Sequence, residues 1–477
     1  MADSFLKREV STGTNQKTWT VSAWIKMSRT GTSHTIFGSD VQDDGSNYAT
    51  LSIEGDGLLK FINQQGGSLV TNFQSNRKLL DLTSWYHIVL RIDTTQGTAG
   101  DRIRIYINGI QETSWAYSTN SASQNADTGV FKSGNATLVG TRISTGGNNF
   151  EGNIAHMHII SGQSHPPSVF GETDSTTGEW KPKLSPTGIT YDSENSAFLK
   201  FENAGALGTD SSGQSNTFTV NGTLKQSEST TSNLFCTLDG NQAYTLGNVH
   251  YAGTAYLGSN GTANGVASTQ MVKDGKWYFE VKVETDRTDS DGATISIAKN
   301  GTHAQRRWRY TGANAIVGKE TGSNGCEGIT YQPMTSTPNI IDDGGGGTVN
   351  YGVQASANDI IMCAFDLSNA TTGKIWWGKN GTWFNAPSTS NAGNPATGAN
   401  AGLSFAKGDD FWGINVTSVV NQADNANKHM FCNFGNGRFG ATAVSSGNAD
   451  DNGVGIMEYD IPAGFYCICT KNIKSYG

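Results

Sequence analysis

Large apolar residues alternate with small or polar ones in several separate runs of this chain. The first are Lys17-Thr-Trp-Thr-Val-Ser-Ala-Trp24-Ile-Lys, Trp85-Tyr-His-Ile-Val-Leu and Asp101-Arg-Ile-Arg-Ile-Tyr-Ile-Asn-Gly109. Far downstream come Gly275-Lys-Trp-Tyr-Phe-Glu-Val-Lys-Val283 and Lys374-Ile-Trp-Trp-Gly-Lys-Asn-Gly-Thr-Trp-Phe384. A period of two puts one face of a strand on a core and the other in water. The pattern predicts strands over Val21–Met27, Thr50–Ile53, Leu58–Ile62, Trp85–Ile92, Arg102–Ile107, Thr137–Gly140 and Asn153–Ile160. A second group is predicted over Trp277–Val283, Asp359–Phe365, Lys374–Gly378 and Lys428–Phe434. Asn108-Gly109 and Asn380-Gly381 can take positive φ at both central positions, so each predicts a hairpin.

Between the two groups lies a stretch rich in Ser, Thr, Gly and Asn. Within it Ser196-Ala-Phe-Leu-Lys-Phe-Glu-Asn203 reads as a strand and Asp210-Ser-Ser-Gly-Gln-Ser-Asn216 as a polar turn. The expected fold class is all-β: two antiparallel β-sandwich domains of jelly-roll type, 1–170 and 233–477, joined by a connector, 171–232. Sixty glycines, nine prolines and only 16% charged residues suit a turn-rich β-protein with few long helices. A formal net charge of −8 disfavours nucleic acid or an acidic membrane surface as a partner. No apolar run approaches the ~20 residues of a membrane-crossing helix, so we expect no membrane insertion and synthesis in the cytoplasm. The six cysteines, Cys236, Cys326, Cys363, Cys432, Cys467 and Cys469, lack metal-pair spacing and are expected to be free thiols.

The order of Thr-Trp-Thr-Val-Ser-Ala-Trp, Trp-Tyr-His-Ile-Val-Leu, Arg-Ile-Tyr-Ile-Asn-Gly and Phe150-Glu-Gly-Asn-Ile-Ala resembles a laminin-G-like domain of the concanavalin A-like lectin and glucanase superfamily. That resemblance implies that Trp24, Trp85 and Tyr106 are scaffold. Gly275–Val281, Ile360–Leu367, Ile375–Trp383 and Phe431-Cys-Asn-Phe-Gly435 together resemble a SPRY domain. The tandem arrangement, with Ser164-His-Pro-Pro-Ser-Val-Phe-Gly-Glu-Thr-Asp, Gly178-Glu-Trp-Lys-Pro-Lys and a closing Pro462-Ala-Gly-Phe465, is similar to structural proteins of tailed bacteriophages, particularly marine ones. It implies a virion component.

Retaining glycoside hydrolysis needs two carboxyls about 5 Å apart. Asp286, Asp289 and Asp291 cluster in a loop-like stretch, and no predicted strand presents acids at alternate positions, so no catalytic residue is assigned and no enzyme is expected. A glycan-degrading enzyme of the same superfamily stays as the alternative. The Gly344–Gly347 run lacks the lysine and helix of a phosphate cradle. His156 and His158 fall on one strand face and read as an exposed polar pair without a third ligand. Asp210 reads as a turn residue. No metal or cofactor is expected.

Sugar recognition requires an exposed aromatic ring to stack on a pyranose C–H face and nearby amides to meet hydroxyls, and needs no net charge. The glycan-binding candidates are Trp115 and Tyr117 on the first sandwich, and Trp308, Tyr310, Trp383 and Trp412 on the second. Arg306, Arg307 and Arg309 interleave Trp308 and Tyr310, a patch better matched to an acidic neighbouring subunit than to a single strand of nucleic acid. The expected partners are other virion proteins or host-surface glycans, with several copies on the particle. A purely structural cement that binds no sugar remains a rival.

Overall fold

The computed structural model describes residues 4–40, 45–120, 122–143, 145–241, 248–257, 264–284, 294–299, 328–334, 337–342, 347–385, 392–418 and 429–477. They form two compact units, Met1–Gln226 and Ser227–Gly477. Both are nearly all antiparallel β.

In the first unit an eight-stranded sheet runs in the order Trp115–Asn120, Ser68–Lys78, Leu58–Gln65, Tyr48–Ile53, His34–Asp40, Ala136–Val139, Phe5–Glu9 and Thr219–Asn221. A six-stranded sheet is ordered Ala197–Leu199, Gly152–Ser161, Thr18–Met27, Tyr86–Asp93, Ile103–Ile107 and Ile110–Gln111. The two share a core in which Trp19, Val21, Ile25, Phe37, Leu51, Phe61, Ile88 and Leu90 are buried. Trp19 stands at its centre, with ring centroids 6.0, 6.2 and 6.3 Å from Phe37, Phe61 and Phe131. Its indole N–H donates to Thr128 Oγ1 at 2.9 Å, so the one polar atom of the ring is satisfied.

The stretch after residue 170 is not a separate connector. Ala197–Leu199 and Thr219–Asn221 extend the two sheets of the first unit. Phe170 and the partly buried Val169, Ile189 and Tyr191 pack with Val89, Tyr106 and Ile160 in a second cluster. Strand alternation puts Val89 and Ile160 on the face opposite Ile88 and Ile159, so this cluster covers the outer side of the six-stranded sheet. A composition rich in Ser, Thr, Gly and Asn concealed it, because the few apolar residues that matter are widely spaced. Trp180 completes the covering. It lies so close to the Asn108-Gly109 turn that a Cβ on Gly109 would sit 2.8 Å from its ring.

In the second unit one sheet runs Val249–His250, Ala255–Leu257, His429–Asn433, Lys276–Val283, Ile360–Asp366, Thr372–Lys379 and Thr382–Trp383, with Leu403–Ala406 and Tyr466–Cys467 pairing off this path. The other runs Asn264–Val272, Trp412–Ser418, Thr294–Lys299, Gly328–Gln332, Asn339–Asp342 and Gly347–Asn350. Trp277, Phe279, Tyr331, Trp377 and Phe434 fill the space between them. Thr470–Tyr476 is a short helix. Cys236, Cys363, Cys432, Cys467 and Cys469 are free and buried, behaving as small apolar residues, and Cys326 lies outside the described residues.

Both predicted hairpins are present and built alike. Asn108 and Asn380 both have φ of 49°, and Gly109 and Gly381 follow at 80° and 85°. Each Asn also grips the neighbouring strand. Asn108 donates its N–H to His87 O and accepts from His87 N at 2.7 Å, while Asn380 donates to Ile360 O and accepts from Ile360 N at 2.8 Å. The side-chain amide thus continues a β-ladder where the main chain turns away.

Candidate functional site

The sequence candidates separate by burial. Trp412 is 2% exposed, its ring 4.8 Å from Phe405 and its N–H donated to Lys407 O, so it is core and not a sugar platform. Phe405 packs on its ring from the preceding strand Leu403–Ala406, and the Lys299 ammonium lies 5.6 Å over the ring from the paired strand Thr294–Lys299, a neighbour that the sequence around position 412 does not show. Trp383 is half-buried against a cluster containing Tyr278 and Trp376. Trp115 is also half-buried. A bulge between Trp115 and Tyr117 turns it onto Phe73 at 4.9 Å, where it closes the open edge of the sandwich. Trp308 and Tyr310, with Arg306, Arg307 and Arg309, lie outside the described residues, as do Asp286, Asp289 and Asp291. Trp24, Trp85 and Tyr106 are buried, in keeping with a scaffold role.

The histidine pair is corrected. His156 has φ of 45°, and the register of its strand shifts between Ala155 and His158, so simple alternation fails. His158 is 2% exposed, stacked on Phe198 at 3.9 Å, with Nδ1 2.7 Å from the Tyr191 hydroxyl. Burial drives its pKa well below the ordinary histidine value. His87 is similar. The Trp180 N–H can only donate, so His87 Nδ1 accepts it at 3.0 Å, and the proton rests on Nε2, 2.8 Å from Ser22 Oγ. Burial lowers the His87 pKa to about 3. These are neutral structural imidazoles. Asp210 is likewise a bracket. It is buried, and its carboxylate accepts from Phe198 N, Ser212 N, Ser212 Oγ and Asn216 N.

Among the described candidates Tyr117 is the most exposed, at 49%. It stands opposite Gln74, which stands opposite Lys60, so the three cross the outer face of the eight-stranded sheet in one row. The adjacent row holds Thr119, Asn72 and Ile62. Gln74, Lys60 and Asn72 carry no motif, and only the alternation of Asn72, Phe73 and Gln74 hints that two amides share a face. Farther across the sheet the residues after Val139 lie over the strands. A Cβ on Gly38 would be 2.7 Å from Thr141 O, and the Arg142 guanidinium lies 4.8 Å over the Tyr48 ring. The arrangement is a ring beside amides and one cation, able to stack on a sugar and meet its hydroxyls.

A cleft of about 250 Å³ opens at one end of the same sandwich, lined by Gln16, Ser39, Tyr48, Gln65, Thr128 and Asn135 among others. Gln65 Nε2 donates to Asp127 O at 2.8 Å and Asn135 Nδ2 to Gly129 O at 2.7 Å, which fixes both amides against the loop over Asp127–Asn135. Gln64 is held to Gly45 O.

The second unit has a polar centre of another kind. Glu280 is fully buried, and its carboxylate accepts from Tyr278 OH at 2.9 Å, Tyr459 N at 2.9 Å, Glu458 N at 3.0 Å and Asn433 Nδ2 at 3.2 Å. Burial raises its pKa to about 7, against the lowering effect of those bonds. The carboxylate ties the returning segment Glu458-Tyr459 to the middle of a sheet. It is a structural anchor, enclosed on all sides.

Among known solved structures, the chain is similar to a native heptameric SAP-like pentraxin from Limulus polyphemus, at 15% identity and a TM-score of 0.29, covering 46% of this chain and 89% of that one. It is similar to the SPRY domain of human HERC1 at 12% identity and a TM-score of 0.25, covering 41% and 96%. It is also similar to the CBM40 of Ruminococcus gnavus IT-sialidase bound to alpha2,3 sialyllactose, at 14% identity and a TM-score of 0.25, covering 33% and 86%. No curated protein matches the chain. Residues 6–169 match the family model described as the concanavalin A-like lectin/glucanases superfamily, and the first sandwich therefore has a concanavalin A-like fold.

Proposed function

We propose that this chain is a non-enzymatic attachment protein of a tailed bacteriophage particle, made in the host cytoplasm and carried in several copies on the virion, whose first sandwich holds host-surface glycans. The exposed Tyr117 ring, in register with Gln74 and Lys60, carries the binding role. A ring on a flat strand face offers a stacking platform already ordered by its backbone, so little conformational freedom is lost on contact. The tandem resemblance to phage structural proteins supports the virion assignment. A single weak sugar contact suffices when many copies engage at once.

A glycan array probed with the full chain tests the binding role. Signal on some glycans that Tyr117→Ala removes supports it; signal that survives the substitution moves the site elsewhere. A blank array, with the chain still retained on phage particles, establishes the cement reading instead. Antibody labelling of intact particles tests the location, and particles that never carry the chain would refute it. A reducing-sugar assay that detects cleavage of a bound glycan would overturn the non-enzymatic assignment.

A further inference from the structure

Two neighbouring rows cross the inner face of the eight-stranded sheet, and their chemistry is opposite. One reads Val139, Phe37, Leu51, Phe61 and Phe73, as a sandwich core should. The next, one step toward the end of the sandwich, reads Thr137, Ser39, Ala49, Asn63 and Thr71. Every member of the second row is at most 2% exposed. Thr137 Oγ1, Ser39 Oγ, Asn63 Oδ1 and Thr71 Oγ1 are buried without a hydrogen-bond partner among the described residues. A buried polar atom left unmatched is unfavourable, and alanine or valine at these positions would avoid it. Four in one row argue for a use, and Ser39 and Ala49 line the cleft at the end of the sandwich.

We infer that this cleft is a binding site for one uncharged polyhydroxy ligand of monosaccharide size. Its volume of about 250 Å³ falls just below the ~300–1,000 Å³ of pockets for drug-sized molecules, which suits a single ring. Its lining supplies amides from Gln16, Gln65 and Asn135 and the hydroxyl of Ser39, groups that exchange hydrogen bonds with sugar hydroxyls. Asp127 and Lys132, of opposite sign, are both exposed, and neither brings a buried charge that an ionic ligand would require. The Gln65 and Asn135 amides are held in place before a ligand arrives. Ser39 Oγ serves as the innermost contact. The ligand class rests on the glycan role proposed above, but the atoms are different from those of the Tyr117 face.

Saturation-transfer NMR on the full chain, with D-glucose, D-galactose, D-mannose and N-acetyl-D-glucosamine as separate probes, tests the site. At least one sugar should show transfer, and Ser39→Val should weaken it about tenfold, the loss of one good hydrogen bond. The same variant should melt at a higher temperature, because it removes an unmatched hydroxyl. Signal that Ser39→Val weakens in a chain already carrying Tyr117→Ala belongs to the cleft, and signal that Tyr117→Ala alone abolishes belongs to the exposed ring and overturns the inference. No transfer from any probe, or transfer indifferent to Ser39→Val, overturns the inference and leaves the row as a seat for ordered water. Array binding that depends on Tyr117 would stand in that case, so the two readings fail separately.

Discussion

The two units share an architecture and a hairpin device, yet their buried titratable groups respond to acid in opposite directions. In the first unit His87 and His158 are neutral inside a layer of aromatic rings, with pKa values driven down by burial. The unfolded chain takes up these protons near the ordinary histidine value of 6.5 and the folded chain refuses them. Their contribution is therefore intact above about pH 6.5 and is lost as pH falls toward the His87 value of about 3. In the second unit Glu280 holds its proton up to about pH 7, whereas an unfolded glutamate releases it near 4.5. Its contribution is full below that ordinary value and is lost as pH rises through about 7. These buried groups thus pull the pH dependence of their two units in opposite directions, set by which residue type each burial encloses.

Removing the Glu280 anchor is the most severe way to test this contrast. Glu280→Ala leaves the Tyr278 hydroxyl and two backbone N–H groups unmatched and strips one bond from the Asn433 amide, and should cost about 3–5 kcal/mol in denaturant unfolding of the second unit. A loss below about 1 kcal/mol would deny it the role of anchor. Glu280→Gln keeps the volume and removes the titration. Calorimetry of this variant between pH 4.5 and 7 should show a flatter dependence for the second unit and an unchanged one for the first.

The shared hairpin device gives the next largest effect. Asn108→Ala and Asn380→Ala each leave the facing strand's N–H unmatched and place alanine at positive φ, so each should lower stability by about 1–3 kcal/mol. Comparable losses in the two variants would confirm one device used twice. A loss in only one would make the likeness superficial. The smallest effects distinguish two neighbours on one strand. Trp115→Ala should cost about 1–2 kcal/mol through lost packing on Phe73, while Tyr117→Ala should stay within about 0.5 kcal/mol. Equal losses would put both rings in the core and remove the platform.

Much of this was legible from alternation and turn chemistry. Asn108-Gly109 and Asn380-Gly381 declare their hairpins because a non-glycine residue with positive φ is favoured only for a few side chains. The strand over His34–Asp40 was not legible, since the polar row places Ser39 inward where the pattern expects an apolar residue. Bulges defeated two site readings. At His156 and between Trp115 and Tyr117 an irregular register re-aims side chains that a strict period of two would place elsewhere. The burial of Trp412 is not legible locally because the strand that pairs with it, ending at Lys299, lies far upstream in the sequence.

One strand of the first unit carries a consequence for how such a protein can vary. Thr18–Met27 is buried along its whole length after Thr18, with the main core on one side and the aromatic-histidine layer on the other. An ordinary outer strand tolerates drift on its wet side, but this one has no wet side to spend. Sliding it by one residue would drive Trp19 and Val21 into the place of Thr20 and Ser22 and misfit both layers together. It is the keel of the sandwich, and diversity in this unit is expected to collect at rims and loop tips, never along it.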